Sequence, residues 1–257
     1  MVFYIVKKRI KKKPSPLSYR HRTYRQAVDP AGLCSFEIKI KETDLHILAS
    51  KDLSAEASNL VLQYRGQLEQ YIADNPAFLT ALTPLPFNPL APPIVKAMLK
   101  AAQIADVGPM AAVAGAIAEF VGLDLLAAGA AEVVVENGGD IFMRRQQDSI
   151  VGVFAGTSPL SNKIGITIKK DHMPVGICTS SGTVGHSLSL GQADSATIVA
   201  PSATLADAFA TRIGNAIKHE ADINGTLALA STFEGIIGVV VICKGRLGVW
   251  GVEITAL

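Results

Sequence analysis

The chain has 257 residues, of which 49% are hydrophobic and only 6% aromatic, and its formal net charge is +2. That length holds one large domain or two small ones, and its core must be built from Ala, Val, Ile and Leu, whose small side chains let elements approach closely. Three scattered cysteines, Cys34, Cys178 and Cys243, form no C-x-x-C pair; they argue against a zinc ribbon or disulfide framework and fit a reducing, cytoplasmic setting.

The charge is unevenly placed. Up to Arg25 there are nine Lys and Arg and no Asp or Glu; the other 15 basic residues face 22 acidic ones, so an acidic body of about −7 carries a basic arm. Residues 1–20 read as a flexible, solvated arm, as termini usually are. Contact with an acidic partner or nucleic acid is the other use. Tyr4, Tyr19 and Tyr24 could stack on bases, but no recognition-module signature surrounds them. The start Val2-Phe3-Tyr4-Ile5-Val6 is too short for a secretory leader, and its positive charges follow it rather than precede it.

Beyond the arm, Leu33–Ile40 alternates apolar and polar and predicts a strand, with Asp44–Ser50 as its hairpin partner. Ser54 can cap a helix reaching about Ala73, with Leu60, Leu68 and Ile72 inward, and Asn75-Pro76 ends it. Pro84, Pro86, Pro89, Pro92 and Pro93 make an extended surface connector. A short helix, Pro93–Ile104, follows. Pro109 then suits the first position of a helix over Met110–Gly129. Gly115 costs that apolar helix about 1 kcal/mol against Ala, which predicts close packing on another backbone. The stretch Val107–Leu123 is about 17 residues long and contains Pro109 and Glu119. A membrane span needs ~20 apolar residues, so a buried helix is expected and no span.

Strands are expected at Glu132–Glu136, Asp140–Arg144, Ile150–Phe154, Lys163–Ile168, Val175–Thr179 and Ala196–Ala200. Ser202 or Thr204 caps a helix over Leu205–His219, and two strands, Gly235–Cys243 and Leu247–Thr255, close the chain. Hairpins dominate and no βαβ series recurs, which predicts α+β with antiparallel sheets. The apolar closing strands could pair across chains in a homo-oligomer.

Three segments could carry chemistry. Asp207 and Thr211 are four apart and share a helix face. A carboxylate and a hydroxyl there can hold a hard cation such as Mg²⁺, which takes oxygen ligands and keeps waters or phosphates elsewhere; alternatively Asp207 only complements the helix N-terminus. Thr179-Ser180-Ser181-Gly182-Thr183-Val184-Gly185-His186-Ser187 offers hydroxyls and backbone N–H groups for phosphates, with His186 to bind a ligand or move a proton. A polar surface loop with a hydrogen-bonded histidine is the plainer reading. Asn137-Gly138-Gly139-Asp140 is foremost a hairpin turn, though Gly-Gly would let a ligand approach the backbone.

The pairing of NGGDI at Asn137–Ile141, SSG…H at Ser180–His186 and ADAFAT at Ala206–Thr211 resembles ApbE-type proteins, the FAD:protein FMN transferases. The longer strings VGPMAAVAGAIAE, VENGGDI and CTSSGTVGHSLSLGQADS resemble a specific branch of that superfamily, from about Arg22 to Gly214. The resemblance implies a duplicated α+β fold of the T-fold kind, with helix-covered antiparallel sheets and a pocket between halves at about 30–145 and 146–257. It implies Asp207 and Thr211 as Mg²⁺ ligands. Asn137, Gly138, Gly139, Asp140, Ser180, Ser181, Gly182 and His186 would line a site for FAD or another nucleotide, with His186 in the catalytic role. A small-molecule enzyme transferring a phosphate-linked group is then expected, with a non-catalytic flavin or nucleotide carrier as the alternative.

The chain departs from the family at its D-x-G-x-x-x-K-G-Y-x-x-D motif. Asp106 and Gly108 fit, but Ala112 stands at the Lys position, Ala114 at the Tyr position and Ile117 at the second Asp position. Flavin transfer by the family's route lacks those groups, and Arg144, Arg145, Lys163 and Lys169 are the cations that could replace the lysine.

Overall fold

A computed structural model describes Arg25, Val28 and residues 30–182 and 191–257. The basic arm of residues 1–20 and His186 lie outside the described residues.

Eleven strands and six helices are found among them. The strands are β1 (Cys34–Ile40), β2 (Thr43–Ala49), β3 (Val133–Asn137), β4 (Asp140–Arg144), β5 (Ser149–Gly152), β6 (Ile164–Ile168), β7 (Val175–Ser180), β8 (Ser195–Ala200), β9 (Gly238–Cys243), β10 (Arg246–Trp250) and β11 (Glu253–Ala256). The helices are α1 (Ser54–Asp74), α2 (Ala77–Thr80), α3 (Pro93–Ala105), α4 (Val113–Ala127), α5 (Ala203–Ala216) and α6 (Ile223–Ala230). A large antiparallel sheet runs β1-β2-β3-β4-β7-β8-β9-β10, and a small one runs β11-β6-β5. This is the α+β arrangement that the hairpin-rich sequence predicts.

Alternation along the strands builds two cores. Val133, Val135, Phe142, Cys178, Val239 and Val241 face the helices. Val134, Ile141, Met143, Ile177, Val240 and Ile242 face the small sheet. The molecule is therefore three layers, and the central sheet is buried on both sides. That explains the unbroken valine runs in β3 and β9: with both faces dry, alternation of polar and apolar residues disappears.

Helix α4 lies in the middle of the helical layer. Pro109–Ala112 forms a tight 3₁₀ turn ahead of it, where the sequence predicted one continuous helix. The stretch Pro109–Ala127 is long and apolar enough to cross a membrane by composition, but it packs on α5, α1 and strands β3 and β4, as a core helix does. Its glycines permit this. A Cβ at Gly122 would stand 2.2 Å from the Phe142 ring, and one at Gly115 would stand 2.2 Å from the carbonyl oxygen of Ala203 in α5. The close backbone approach expected at Gly115 is present.

Three local expectations are corrected. Leu53, not Ser54, sits at the N-cap of α1, without a side-chain bond; the Ser54 N–H donates to Asp52 Oδ1 at 2.9 Å. The single strand expected over Leu247–Thr255 is two. Gly251 takes φ +76° where a Cβ would lie 2.2 Å from the Ile237 carbonyl, and the chain there leaves β9 to pair β11 with β6. Helix α6, in a stretch for which no element is expected, forms across Asn224-Gly225: Ile223, Thr226 and Ala230 are buried and the helix packs on β9 and β10.

Candidate functional site

Strands β4 and β7 are neighbours at the centre of the large sheet. The β3–β4 turn and the segment after β7 therefore emerge side by side at one end. In the turn, Gly138 and Gly139 take φ of +72° and +115°, a conformation that favours glycine. Glu136 holds the turn from inside: its Oε1 accepts the Gly139 N–H at 3.0 Å and its Oε2 accepts Arg25 Nε at 2.7 Å. Arg25 also donates to Asp44 Oδ1 at 2.7 Å. A charged residue in a valine strand was the sequence signal for Glu136, and it went unread.

The turn docks on the start of α4. Asn137 Nδ2 donates to the Ala114 carbonyl at 3.1 Å, and the next amide, Gly115 N–H, donates to Asp207 Oδ2 at 2.8 Å. Asn137 and Asp207, remote in sequence, are thus tied together through Ala114 and Gly115. Helix α5 is aimed by Glu119 of α4. Its Oε2 accepts Ser202 Oγ at 2.7 Å, Thr204 N–H at 2.8 Å and Thr204 Oγ1 at 2.7 Å. Ser202 is the N-cap, accepting Leu205 N–H at 3.3 Å. Glu119 was another residue that sequence reasoning missed as part of the site; an acid in a mostly apolar helix is the trace it leaves.

Electrostatics mark the same place. Burial pushes the Asp207 carboxyl up to about 7, against the Gly115 and Ala114 N–H groups, which pull it down. Burial also raises Asp140 well above the carboxylate range; the charges of Asp207 and Glu136 add to this, while bonds from Cys178 and the Thr179 N–H oppose it. The buried Cys178 thiol is pushed up by burial and then by Asp140 and Asp207, and it lies 3.3 Å from the Ala203 carbonyl.

Ser180, Ser181 and Gly182 sit further along α5. A Cβ at Gly214 would be 3.3 Å from Ser180 Oγ, and Gly182 N–H donates to the Ala193 carbonyl at 2.9 Å. Gly214 lies seven residues past Asp207, or roughly 10 Å along the helix axis, with Thr211 between them. The predicted residues thus form two groups along one side of α5: the turn with Asp207, and the end of β7 near Gly214.

Among the described residues no three His, Cys, Asp or Glu converge on a common metal position. The donors fit Mg²⁺ nonetheless, because this ion is held by one or two carboxylates plus ligand oxygens, and Asp140 Oδ1 is a buried oxygen without a hydrogen-bond partner. The motif positions that lack Lys, Tyr and Asp are filled by a buried Ala112, a half-buried Ala114 and a buried Ile117. Three of the replacement cations are engaged elsewhere. Arg145 is buried against Glu132 at 2.6 Å, Arg144 donates to the Arg145 carbonyl at 3.1 Å, and Lys169 pairs with Glu253 of the small sheet at 3.6 Å. Lys163 directly precedes β6, in the small-sheet layer across the large sheet from α5. Asp106, retained from the motif, pairs with Arg212 at 2.9 Å.

Comparison with known proteins agrees with this architecture. A UPF0280 protein of Methanococcus aeolicus is 44% identical over 220 residues, covering 82% of this chain and 89% of that protein. The corresponding protein of Methanocaldococcus jannaschii is 42% identical over 220 residues, covering 83% and 89%. The solved apo flavinyl transferase ApbE of Pseudomonas stutzeri superposes with a TM-score of 0.56 over 87% of this chain and 94% of that one, at 12% identity, a likeness of fold. A family model described as AbpE bacteria matches residues 25–246. The chain belongs to that family, a branch of the ApbE-like proteins.

Proposed function

We propose that this protein binds a nucleotide, a flavin or another phosphorylated small molecule with Mg²⁺ and transfers a phosphate-linked group from it. The observation that carries this reading is the Asp207 carboxylate, fixed by the Gly115 N–H at 2.8 Å beside the glycine turn of Asp140. Mg²⁺ bound there would neutralise phosphate charge and stabilise an oxyanion leaving group. Gly115 orients the carboxylate, and Asn137 locks the turn to α4. Gly138 and Gly139 leave backbone open to a ligand. Ser180 and Ser181 supply hydroxyl donors towards the Gly214 end of α5, Gly182 shapes the segment beside them, and His186 positions the ligand or moves a proton. Flavin transfer, the activity named for the solved neighbour, is one candidate reaction.

A second reading, a flavin or nucleotide carrier without catalysis, is favoured by Ala112, Ala114 and Ile117 at the motif positions. Incubation with FAD, with and without Mg²⁺, separates the two. Release of FMN and AMP, or a flavinylated protein, supports transfer. Tightly bound, intact FAD supports the carrier. Neither binding nor turnover of FAD removes flavin from both readings.

A further inference from the structure

On the helix-facing side of the central sheet, Asp140 and Phe142 of β4 lie opposite Cys178 and Gly176 of β7. Phe142 and Cys178 belong to the helix-side core, whereas Ile141, Met143 and Ile177 belong to the other. Strand alternation therefore aims Asp140 at the helices. Helix α5 passes over the adjacent strand β7 at van der Waals distance. A Cβ on Gly176 would stand 2.3 Å from Ala203 Cα, and Cys178 Sγ reaches the Ala203 carbonyl at 3.3 Å. Asp207 is one turn beyond Ala203 on that face.

Asp140 is only 9% exposed, and its Oδ1 has no hydrogen-bond partner. A buried carboxylate oxygen left bare is costly. Asp207 is the carboxylate that the facing helix brings to this side of the sheet, and once the shared proton is lost a cation between the two is the group that satisfies both.

We propose that Asp140 is a second carboxylate ligand to a divalent cation on Asp207, forming an all-oxygen site for Mg²⁺ or Mn²⁺ between the β3–β4 turn and α5. This rests on the reading that Asp207 holds a metal. Two carboxylates match the charge of a dication, so the site takes the ion before any phosphorylated ligand arrives.

The test uses the full chain and Mn²⁺ alone, with free Mn²⁺ read by electron paramagnetic resonance and thermal unfolding recorded for every variant. Wild type is expected to bind one Mn²⁺, Asp207→Asn to lose it, and Asp140→Asn to bind at least about tenfold more weakly while still unfolding cooperatively. Wild-type affinity in Asp140→Asn overturns the inference and leaves the metal on Asp207. Mn²⁺ binding that needs added ADP also overturns it, with the underlying reading intact. No Mn²⁺ binding with or without ADP overturns both. If Asp140→Asn does not fold, a Mn²⁺-soaked wild-type crystal decides. An anomalous peak within ligand distance of both carboxylates is expected, and one reached by Asp207 alone refutes the proposal.

Discussion

Gly115 and Asp207 meet at the crossing of α4 and α5: the Gly115 N–H donates to Asp207 Oδ2 at 2.8 Å, and a Cβ on Gly115 would lie 2.7 Å from Asp207 Cβ. One glycine thus lets the helices touch and orients the carboxylate. Gly115→Ala is expected to cost about 1–3 kcal/mol by overpacking and to weaken cation binding together with stability. Urea unfolding and Mn²⁺ titration of the same variant check this; wild-type values in both would refute the close-contact role.

Glu119 gathers three donors from the start of α5 on one oxygen. Glu119→Ala removes a charged acceptor and leaves those donors unmet, at a cost on the order of 2–3 kcal/mol. Glu119→Gln, which keeps an acceptor, should lose less. Equal losses in the two variants, measured by chemical denaturation, would place the effect in packing rather than in capping.

Glu136 joins Arg25 to the Gly139 N–H inside the protein. Glu136→Ala leaves Arg25 with its remaining carboxylate neighbours and frees the turn. A loss of roughly 3 kcal/mol is expected, as for other broken buried pairs. Amide exchange at Gly139 should accelerate selectively. Unchanged exchange there would show that the turn holds itself.

The metal-free protein should lose stability as pH rises from about 4 towards 7. Asp207 is raised to about 7 in the fold against an ordinary 3.8, and Asp140 is raised as well. Below 3.8 both states carry the proton and the contribution is full. Between 3.8 and the folded value the unfolded chain has released it, so stability falls as pH rises. Asp207→Asn should flatten this slope, and Mg²⁺ should restore stability at pH 7.5 more than at pH 5. Thermal unfolding across this range, with and without Mg²⁺, reads it. A slope unchanged in Asp207→Asn would assign it to other groups.

Most strands and helices were readable from the sequence because each has its own period or punctuation. The Pro-rich connector, the glycine turn and the valine strands announce themselves locally. What escaped were features decided by neighbours. Gly251 diverts the last strand because the Ile237 carbonyl leaves no room for a side chain. Helix α6 forms across Asn224-Gly225 because Ile223 and Ala230 find the sheet. The same holds for the site. Asp207 and the Asn137–Asp140 turn carry local signals, whereas Glu119 and Glu136 act on partners 83 to 111 residues away. No spacing rule reports such pairs.

Metal-dependent ligand binding on Asp207 is decided by calorimetric titration of the full chain with FAD, FMN, ADP and ATP, each with and without Mg²⁺, alongside Asp207→Ala. Mg²⁺-dependent binding of one of these ligands, abolished in Asp207→Ala, is the predicted result. Binding that is indifferent to both Mg²⁺ and Asp207, or no binding of any of the four, would contradict a metal–phosphate site at this crossing of helices.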